Sequence, residues 1–370
     1  MTRRMRAFRP DWAWTGSRLV RAPIVTVDEA GLVVPHRGEA VEDVPGLLLP
    51  GLINAHTHLE LRAIPTPVRQ GFVAWLPYVR QAGGDAETAR ATAATHVVEV
   101  RAAGARGVGE ITNTGFSATA ISASGLVGRV FHESFGIDRA VVPETTHRSV
   151  PHAPHTTHPA VIMRCAAMPG PWSIHFDEDP EEAKFLCDEG AWPEMMRAMG
   201  RDLSDYRFPH ASPAAYLRDL GVLSPRALLV HATCTRGADL DIVAASGAHV
   251  CLCVRSNLHI TGNLPDVSGM VARGIPLALG TDSRTSSPDL DILAEAAAAR
   301  AAFPDVDVAV WMRALTVGGA EALDLPLGTL EAGARKEGGV APGLLLVDVP
   351  DVHPLESLLD GTQWPRRWLA

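Results

Sequence analysis

Eight short apolar runs, several closing on a polar residue, recur along the chain at 52–58, 107–111, 129–133, 149–152, 172–175, 228–231, 249–254 and 275–282. Many of the stretches between them read as helices, most clearly 86–103 and 290–302, which are alanine-rich with polar punctuation. Strands buried on both faces read as near-continuous apolar runs, as 248–254 and 275–279 do. Eight such strands alternating with helices is the number a closed parallel barrel requires, so the expected class is α/β, a (β/α)8 TIM barrel. A chain of 370 residues accommodates that barrel and a small additional layer.

The flanks differ in texture. Residues 1–49 alternate apolar and polar positions between turn residues, and 327–370 are Gly/Pro-rich with one strand-like run at 343–349. Both ends together are expected to form a small β-sandwich, 1–49 plus 327–370, beside a barrel spanning 50–326. Between Phe135 and Ser149 there are too few residues for a comfortable crossover, which needs about a dozen or more. The third outer helix is therefore expected to be rudimentary or a loop. The connection after the fifth strand is long and mixes Trp192, Pro193, Tyr206, Phe208 and His210, as loops over a barrel's active face do.

Apolar residues at 46% and charged residues at 20% describe a soluble globular chain. A net charge of −9 gives no electrostatic reason to expect a nucleic-acid partner. Five cysteines with no C-x-x-C pair argue against a disulfide framework or a structural zinc module. Residues 1–14 carry four arginines and no signal-peptide core, and no 18-residue apolar stretch occurs anywhere. The expected setting is cytoplasmic, without a membrane partner. Lysine is nearly absent, with only Lys184 and Lys336.

Four strand ends carry chemistry. His56-Thr57-His58 closes the first run, and residues two apart in a strand share a face, so both imidazoles are expected to project into the barrel. Converging neutral imidazoles suit a metal; two histidines at a strand end by chance are the alternative. His175-Phe176-Asp177-Glu178 closes the fifth run. Its two key residues converge only if the strand stops near Phe176 and the chain turns Glu178 inward. An acid close to a metal suits proton transfer, while a helix-start cluster of acids is the plain alternative. His231 closes the sixth run, and alone it reads as a core histidine. Asp282 closes the eighth, where a buried carboxylate is costly unless a cation faces it; a helix N-cap is the alternative. All four lie at the C-terminal ends of barrel strands, where such active sites sit.

With those residues in place, the chain resembles the amidohydrolase superfamily, in its aminohydrolase branch of cytosine, guanine and adenosine-analogue deaminases and chlorotriazine hydrolases. The likeness runs from about Leu47 to Val347. It is carried by Pro50-Gly51-Leu52-Ile53-Asn54-Ala55-His56-Thr57-His58-Leu59-Glu60, Phe72-x-x-Trp75-Leu76 and Pro151-His152-Ala153-Pro154. It continues through His175-x-x-Glu178, Arg255-Ser256-Asn257-Leu258, Leu279-Gly280-Thr281-Asp282-Ser283 and Leu315-Thr316-x-Gly318-Gly319-Ala320. The resemblance implies one divalent ion, zinc or iron(II), on His56, His58, His175 and Asp282. It implies proton shuttling by Glu178 and a hydrogen bond from His231 to the attacking hydroxide, with Asp282 taking the water proton. Substrate contacts implied are Trp75, Glu133, His152, Arg255 and Ser283, although Glu133 and Arg255 have a second reading as structural ion-pair partners. Binuclear relatives bridge their ions with a lysine on strand four, and neither lysine of this chain lies there, so a mononuclear site is expected.

The implied reaction is hydrolytic deamination of an amino-substituted heterocycle. Gly107-Val108-Gly109-Glu110-Ile111, Phe131-His132-Glu133 and the run from Arg255 to His259 look closest to aminodeoxyfutalosine deaminase-like members, which act on a 5′-modified adenosine. Chlorohydrolase, guanine or 8-oxoguanine deaminase, and amidase or imidase activity at the same site are the alternatives. A cytidine-deaminase-type site needs H-x-E together with P-C-x-x-C, a combination the chain lacks. A non-catalytic barrel would be expected to have lost a ligand or the proton shuttle, and none is missing. Relatives are commonly homodimers, but the sequence carries no interface signature. Three departures stand out: His155 where relatives carry tyrosine, Cys253-Val254 for Cys-Pro, and Gly343-Leu344 for Ala-Asp after an altered stretch at 337–342.

Overall fold

The computed structural model describes residues 5–142, 145–332 and 340–370. Lys336 and residues 337–339 of the altered stretch lie outside the described residues. Eight strands follow one another: β1 (Leu52–Thr57), β2 (Ala105–Thr112), β3 (Val127–Ser134), β4 (Arg148–Pro151), β5 (Trp172–Phe176), β6 (Ala227–His231), β7 (His249–Leu252) and β8 (Leu277–Leu279). Every neighbouring pair within β1–β4 and within β5–β8 is parallel. The two halves meet at two seams. His175 donates its backbone N–H to His152 O at 2.8 Å, and Asp282 N to His56 O at 3.1 Å. The ring therefore closes in sequence order, and all eight expected runs are its strands.

Strand ends differ from the expected runs where geometry intervenes. β8 stops at Leu279, and the next residue, Gly280, lies so close to β1 that a Cβ there would stand 2.7 Å from His56 O. The expected crossover gap is real: among the described residues no helix lies between β3 and β4. Five helices matter to the site: α1 (Phe72–Gly83), α2 (Ala86–Ala102), α3 (Ala191–Ala198), α4 (Val254–Ile260) and α5 (Ile292–Ala302). Asp85 and Asp291 start α2 and α5 by accepting backbone N–H bonds in the first turn.

The termini form one curled, seven-stranded sheet in the order 366–368, 344–347, 41–50, 6–14, 25–27 and 33–34, with 19–21 also paired to 6–14. The C-terminal strand Leu344–Val347 runs antiparallel to the end of Val41–Pro50, which is how the two chain ends meet. Period-two alternation explains the apolar triplet in that strand. Leu47 and Leu49 join the barrel's core, while Leu48 packs with Phe8, Val27, Val44 and Leu346 in a separate core of the terminal layer. The arginine-bearing N-terminus is itself strand-forming from Arg6 to Trp14. Among the described residues no helix is long and apolar enough to cross a membrane.

Candidate active site

The C-terminal ends of β1, β5, β6 and β8 bring four histidines and Asp282 together. His56 and His58 rings stand 5.0 Å apart, and His56 lies 4.9 Å from His175 and 6.0 Å from His231. His58 Nε2 and His175 Nε2 are 3.3 Å apart. Asp282 Oδ1 points at the first-strand pair, 3.7 Å from His56 Nε2 and 3.6 Å from His58 Nε2. The other oxygen, Oδ2, accepts hydroxyls from Ser256 (2.6 Å) and Ser286 (2.7 Å). That pair of bonds orients the carboxylate so that one oxygen is left for the histidines. A backbone φ of 55° at Asp282 turns the side chain away from strand geometry, and Thr57 Oγ1 holds its carbonyl.

Burial keeps the rings neutral. It lowers the pKa of His56 and His231, drives His58 down to about 3, and holds His175 well below the ordinary range. Burial alone would raise Asp282, but His56, His58 and His231 outweigh it and leave the carboxyl well below its usual value. His175 Nδ1 faces His152 O at 3.1 Å, so that nitrogen carries the proton and Nε2 presents a lone pair inward. His56 is fully buried with neither ring nitrogen partnered in the protein. An orphaned imidazole beside a carboxylate and two further lone pairs is a poor protein interior and a good cation site. The donor atoms of His56, His58 and Asp282 lie within 4.8 Å of one another, as do those of His56, His175 and His231. The donor set fits a divalent metal.

Glu178 reaches this centre because β5 ends at Phe176 and Asp177 adopts a φ of 49°. Asp177 is fixed in that turn by Thr235 Oγ1 at 2.7 Å and by the backbone N–H of Cys234 to its carbonyl. Glu178 Oε1 then stands 3.7 Å from His231 Nε2. Burial, reinforced by Asp282 and Glu182, raises the Glu178 pKa well above the ordinary value. His231 Nδ1 bonds Asn257 Oδ1 at 2.9 Å, which leaves Nε2 facing Glu178 as an acceptor. On the other side Glu133 lies 3.4 Å from His175 Nδ1, receives Asn113 Nδ2 at 3.2 Å, and is pushed up to about 8 by burial. The His152 ring lies 4.8 Å from that of His175, tilted by 39°, its Nδ1 bonded to Thr156 Oγ1 at 2.6 Å.

These groups floor a cavity of about 740 Å³. Trp75, Glu133 and His152 line it beside His58, His175, Asp282, Glu178 and His231. Two expected contacts do not. Arg255 is turned into α4's outer packing, where Glu295 takes its Nε at 3.0 Å and Asp289 its other arm at 2.8 Å. Ser283 is fully buried in the turn after Asp282, where its Oγ accepts Thr285 N, and it has no face on the cavity. His155 sits by Glu182 and Trp192 rather than on this cavity. Sequence reading missed Ser256 and Ser286, the hydroxyls that aim Asp282, and Asn113 beside Glu133. It also missed the inward face of α3, although Trp192, Met195, Met196 and Met199 stand at helical spacing.

A parallel barrel whose strand ends gather imidazoles, one carboxylate and a second acid whose pKa burial raises, under an open cavity, has the makings of a hydrolase built around a cation. Residues 201–335 match the sequence model of the amidohydrolase family. Over 327 residues the chain is 30% identical to an aminodeoxyfutalosine deaminase of Deinococcus radiodurans, covering 79% of this chain and 76% of that one. It is 32% identical to a 5-methylthioadenosine/S-adenosylhomocysteine deaminase of Teredinibacter turnerae, over 60% of this chain and 49% of the relative. Among solved structures it is similar to the aminofutalosine deaminase of Helicobacter pylori in complex with methylthio-coformycin. The TM-score there is 0.82 at 18% identity, covering 98% and 97% of the two chains. The chain belongs to the amidohydrolase family. It is a hydrolase acting on C–N bonds.

Proposed function

We propose that the chain hydrolytically deaminates the adenine ring of a 5′-modified adenosine, the substrate type shared by the two named relatives, aminodeoxyfutalosine being one such compound. The observation that carries this reading is Glu178, an acid whose pKa burial raises, 3.7 Å from His231 at the edge of the cation site. His56, His58, His175 and Asp282 would hold one divalent ion, with zinc suited to an imidazole-rich set with a single carboxylate and iron(II) the other candidate. When bound, such an ion supplies the Lewis acidity that makes water acidic enough to attack at neutral pH.

The chain's own groups account for the proton traffic. His231 Nε2 accepts a hydrogen bond from the attacking water and orients it. Asp282 takes the first water proton. Glu178 donates its proton to the ring nitrogen beside the amino-bearing carbon, which makes that carbon electrophilic. The resulting carboxylate of Glu178 recovers a proton from the new hydroxyl as the C–O double bond forms. Asp282 passes its proton to the amino group, the C–N bond breaks, and ammonia leaves. Water is consumed, ammonia is released, and no electrons change hands. Glu133 and His152 also line the cavity and would contact the sugar or the purine.

Protein of measured metal content, offered 5′-modified adenosines, adenosine, guanine, 8-oxoguanine, cytosine, a chlorotriazine and simple amides, tests the reading. Ammonia with an inosine-type product from the 5′-modified adenosines is expected. Turnover confined to the chlorotriazine, the amides or the free bases would overturn it.

A further inference from the structure

Glu60 closes the first histidine motif without reaching the cavity, yet it is 4% exposed and gathers four donors. Its Oε1 accepts the Thr112 hydroxyl at 2.6 Å and the Ser117 N–H at 3.1 Å. Its Oε2 accepts the N–H groups of Asn113 at 3.3 Å and Thr114 at 3.2 Å. The point from which Glu60 leaves β1 is itself fixed. Leu59, just before it, gives its N–H to Glu110 at 3.0 Å, and its carbonyl faces His96 Nδ1 at 3.0 Å.

All four donors belong to one turn. β2 ends at Thr112, and the helix Phe116–Ser124 starts from Gly115, a left-handed residue with no side chain to cap the first turn. Glu60 brings from β1 the acceptor that this turn lacks, where a carboxylate also suits the positive end of a helix. Thr112 passes the contact on, its Oγ1 accepting the Gly115 N–H at 2.6 Å. Of residues 112–117, Asn113 alone lines the cavity. Its Nδ2 donates to Glu133 Oε2 at 3.2 Å, and Glu133 is a cavity residue in its own right. A continuous path of bonds thus joins Glu60, behind the wall, to a carboxyl on it.

We propose that Glu60 is a positioning residue for the reaction: it holds the turn 112–117, the turn sets Asn113, and Asn113 sets Glu133 on the cavity wall. The inference rests on the adenosine reading above, in which Glu133 would contact the substrate. Its effect falls on substrate binding rather than on the cation site. His175 keeps its direction through His152 O at 3.1 Å, Asp282 is held by Ser256 and Ser286, and Leu59 beside His58 keeps both of its bonds. Glu60→Gln preserves the shape but turns one acceptor oxygen into an amide NH2 that confronts two donors, whichever way the group lies.

The test compares wild type, Glu60→Gln, Asn113→Ala and the double variant on 5′-methylthioadenosine, with kcat and KM measured per bound metal. Binding of 5′-methylthioinosine is measured by calorimetry. Each single variant should raise KM about tenfold, change kcat less than about threefold and keep its metal. The double variant should fall no further than Asn113→Ala alone, because Glu60 acts through Asn113. Losses that multiply in the double variant, or a Glu60→Gln protein that is less stable but has the wild-type KM, overturn the proposal. Thr112→Val removes one of the four donors and carries the same comparison at smaller amplitude where Glu60→Gln does not fold. Its rise in KM should vanish in the Asn113→Ala background, and a rise that persists there overturns the proposal. The calorimetry separates the two readings. Inosine binding weakened by Glu60→Gln only when Asn113 is present, without ammonia release by wild type, would leave the positioning role standing and sink deamination. Ammonia release with multiplying losses would do the reverse.

Discussion

The floor and the mouth of the cavity are made differently. At the floor, His56, His58, His175, His231, Glu178 and Asp282 are all buried, and three of the six are braced by further bonds: Asp282 by two serines, His175 by a backbone carbonyl, His231 by Asn257. They stand on strand ends whose register is locked, with Phe176 paired to His231 and Thr57 bridged to Asp282. At the mouth, α1 presents Leu76 and Val79, and α3 and its C-cap present Met195, Met196 and Met199, with Met195 40% and Met199 55% exposed. On the proposed function, reactivity would sit where the backbone leaves no freedom, and selectivity where side chains can be exchanged without disturbing the barrel.

The contrast breaks most decisively at the floor. Glu178→Gln should retain its metal but lose about a hundred- to ten-thousandfold in kcat, read by metal analysis beside ammonia release. Near-normal turnover would remove Glu178 from the chemistry. Next is Arg255→Gln, which leaves Glu295 buried and unpaired and should cost about 3 kcal/mol of stability by denaturant titration. Burial pushes Glu295 up to about 7 from its ordinary 4.5, with Arg255 pulling the other way. Its contribution to stability is full below about 4.5 and is lost as pH rises through about 7. The Arg255→Gln penalty should therefore be larger at alkaline pH, where Glu295 is charged and needs its partner, than in mild acid. A penalty independent of pH would mean the pair is not ionised as described.

Asn257→Ala should follow, with roughly a ten- to hundredfold fall in kcat as His231 loses its orientation. The smallest effect belongs to the mouth. Met199→Ala should raise KM a few-fold for substrates with a long apolar 5′ group, through about 1 kcal/mol of lost burial, and spare kcat. A fall in kcat comparable to that of Asn257→Ala would erase the distinction between the two regions.

The same division explains what the sequence disclosed. The floor was readable because apolar runs terminate in polar residues, strand alternation aligns His56 with His58, and a barrel gathers strand ends in one place. The turn that swings Glu178 inward was also anticipated, as the only way its side chain could meet His175; Asp177 makes it. Arg255 and Ser283 were misplaced because adjacency along the chain is a poor guide once the strand ends. Arg255 precedes Ser256 on α4, and one helical step turns its side chain from Asp282 to Glu295. Ser283 follows a left-handed residue that redirects it into its own turn. The stripe on α3 shows its helical spacing in sequence, but nothing local says which cavity a helix in a long connection will face. That no helix lies between β3 and β4 among the described residues, by contrast, followed from counting residues between Phe135 and Ser149.

The account depends on four side chains converging on one cation, so the most direct measurement is metal content against turnover in wild type, His58→Ala and Asp282→Ala, before and after chelation. One equivalent of divalent metal per wild-type chain, activity lost on chelation and restored by adding zinc or iron(II), and neither metal nor activity in the two variants is the predicted result. Full metal occupancy without Asp282 or His58, or undiminished turnover by metal-free protein, would contradict it.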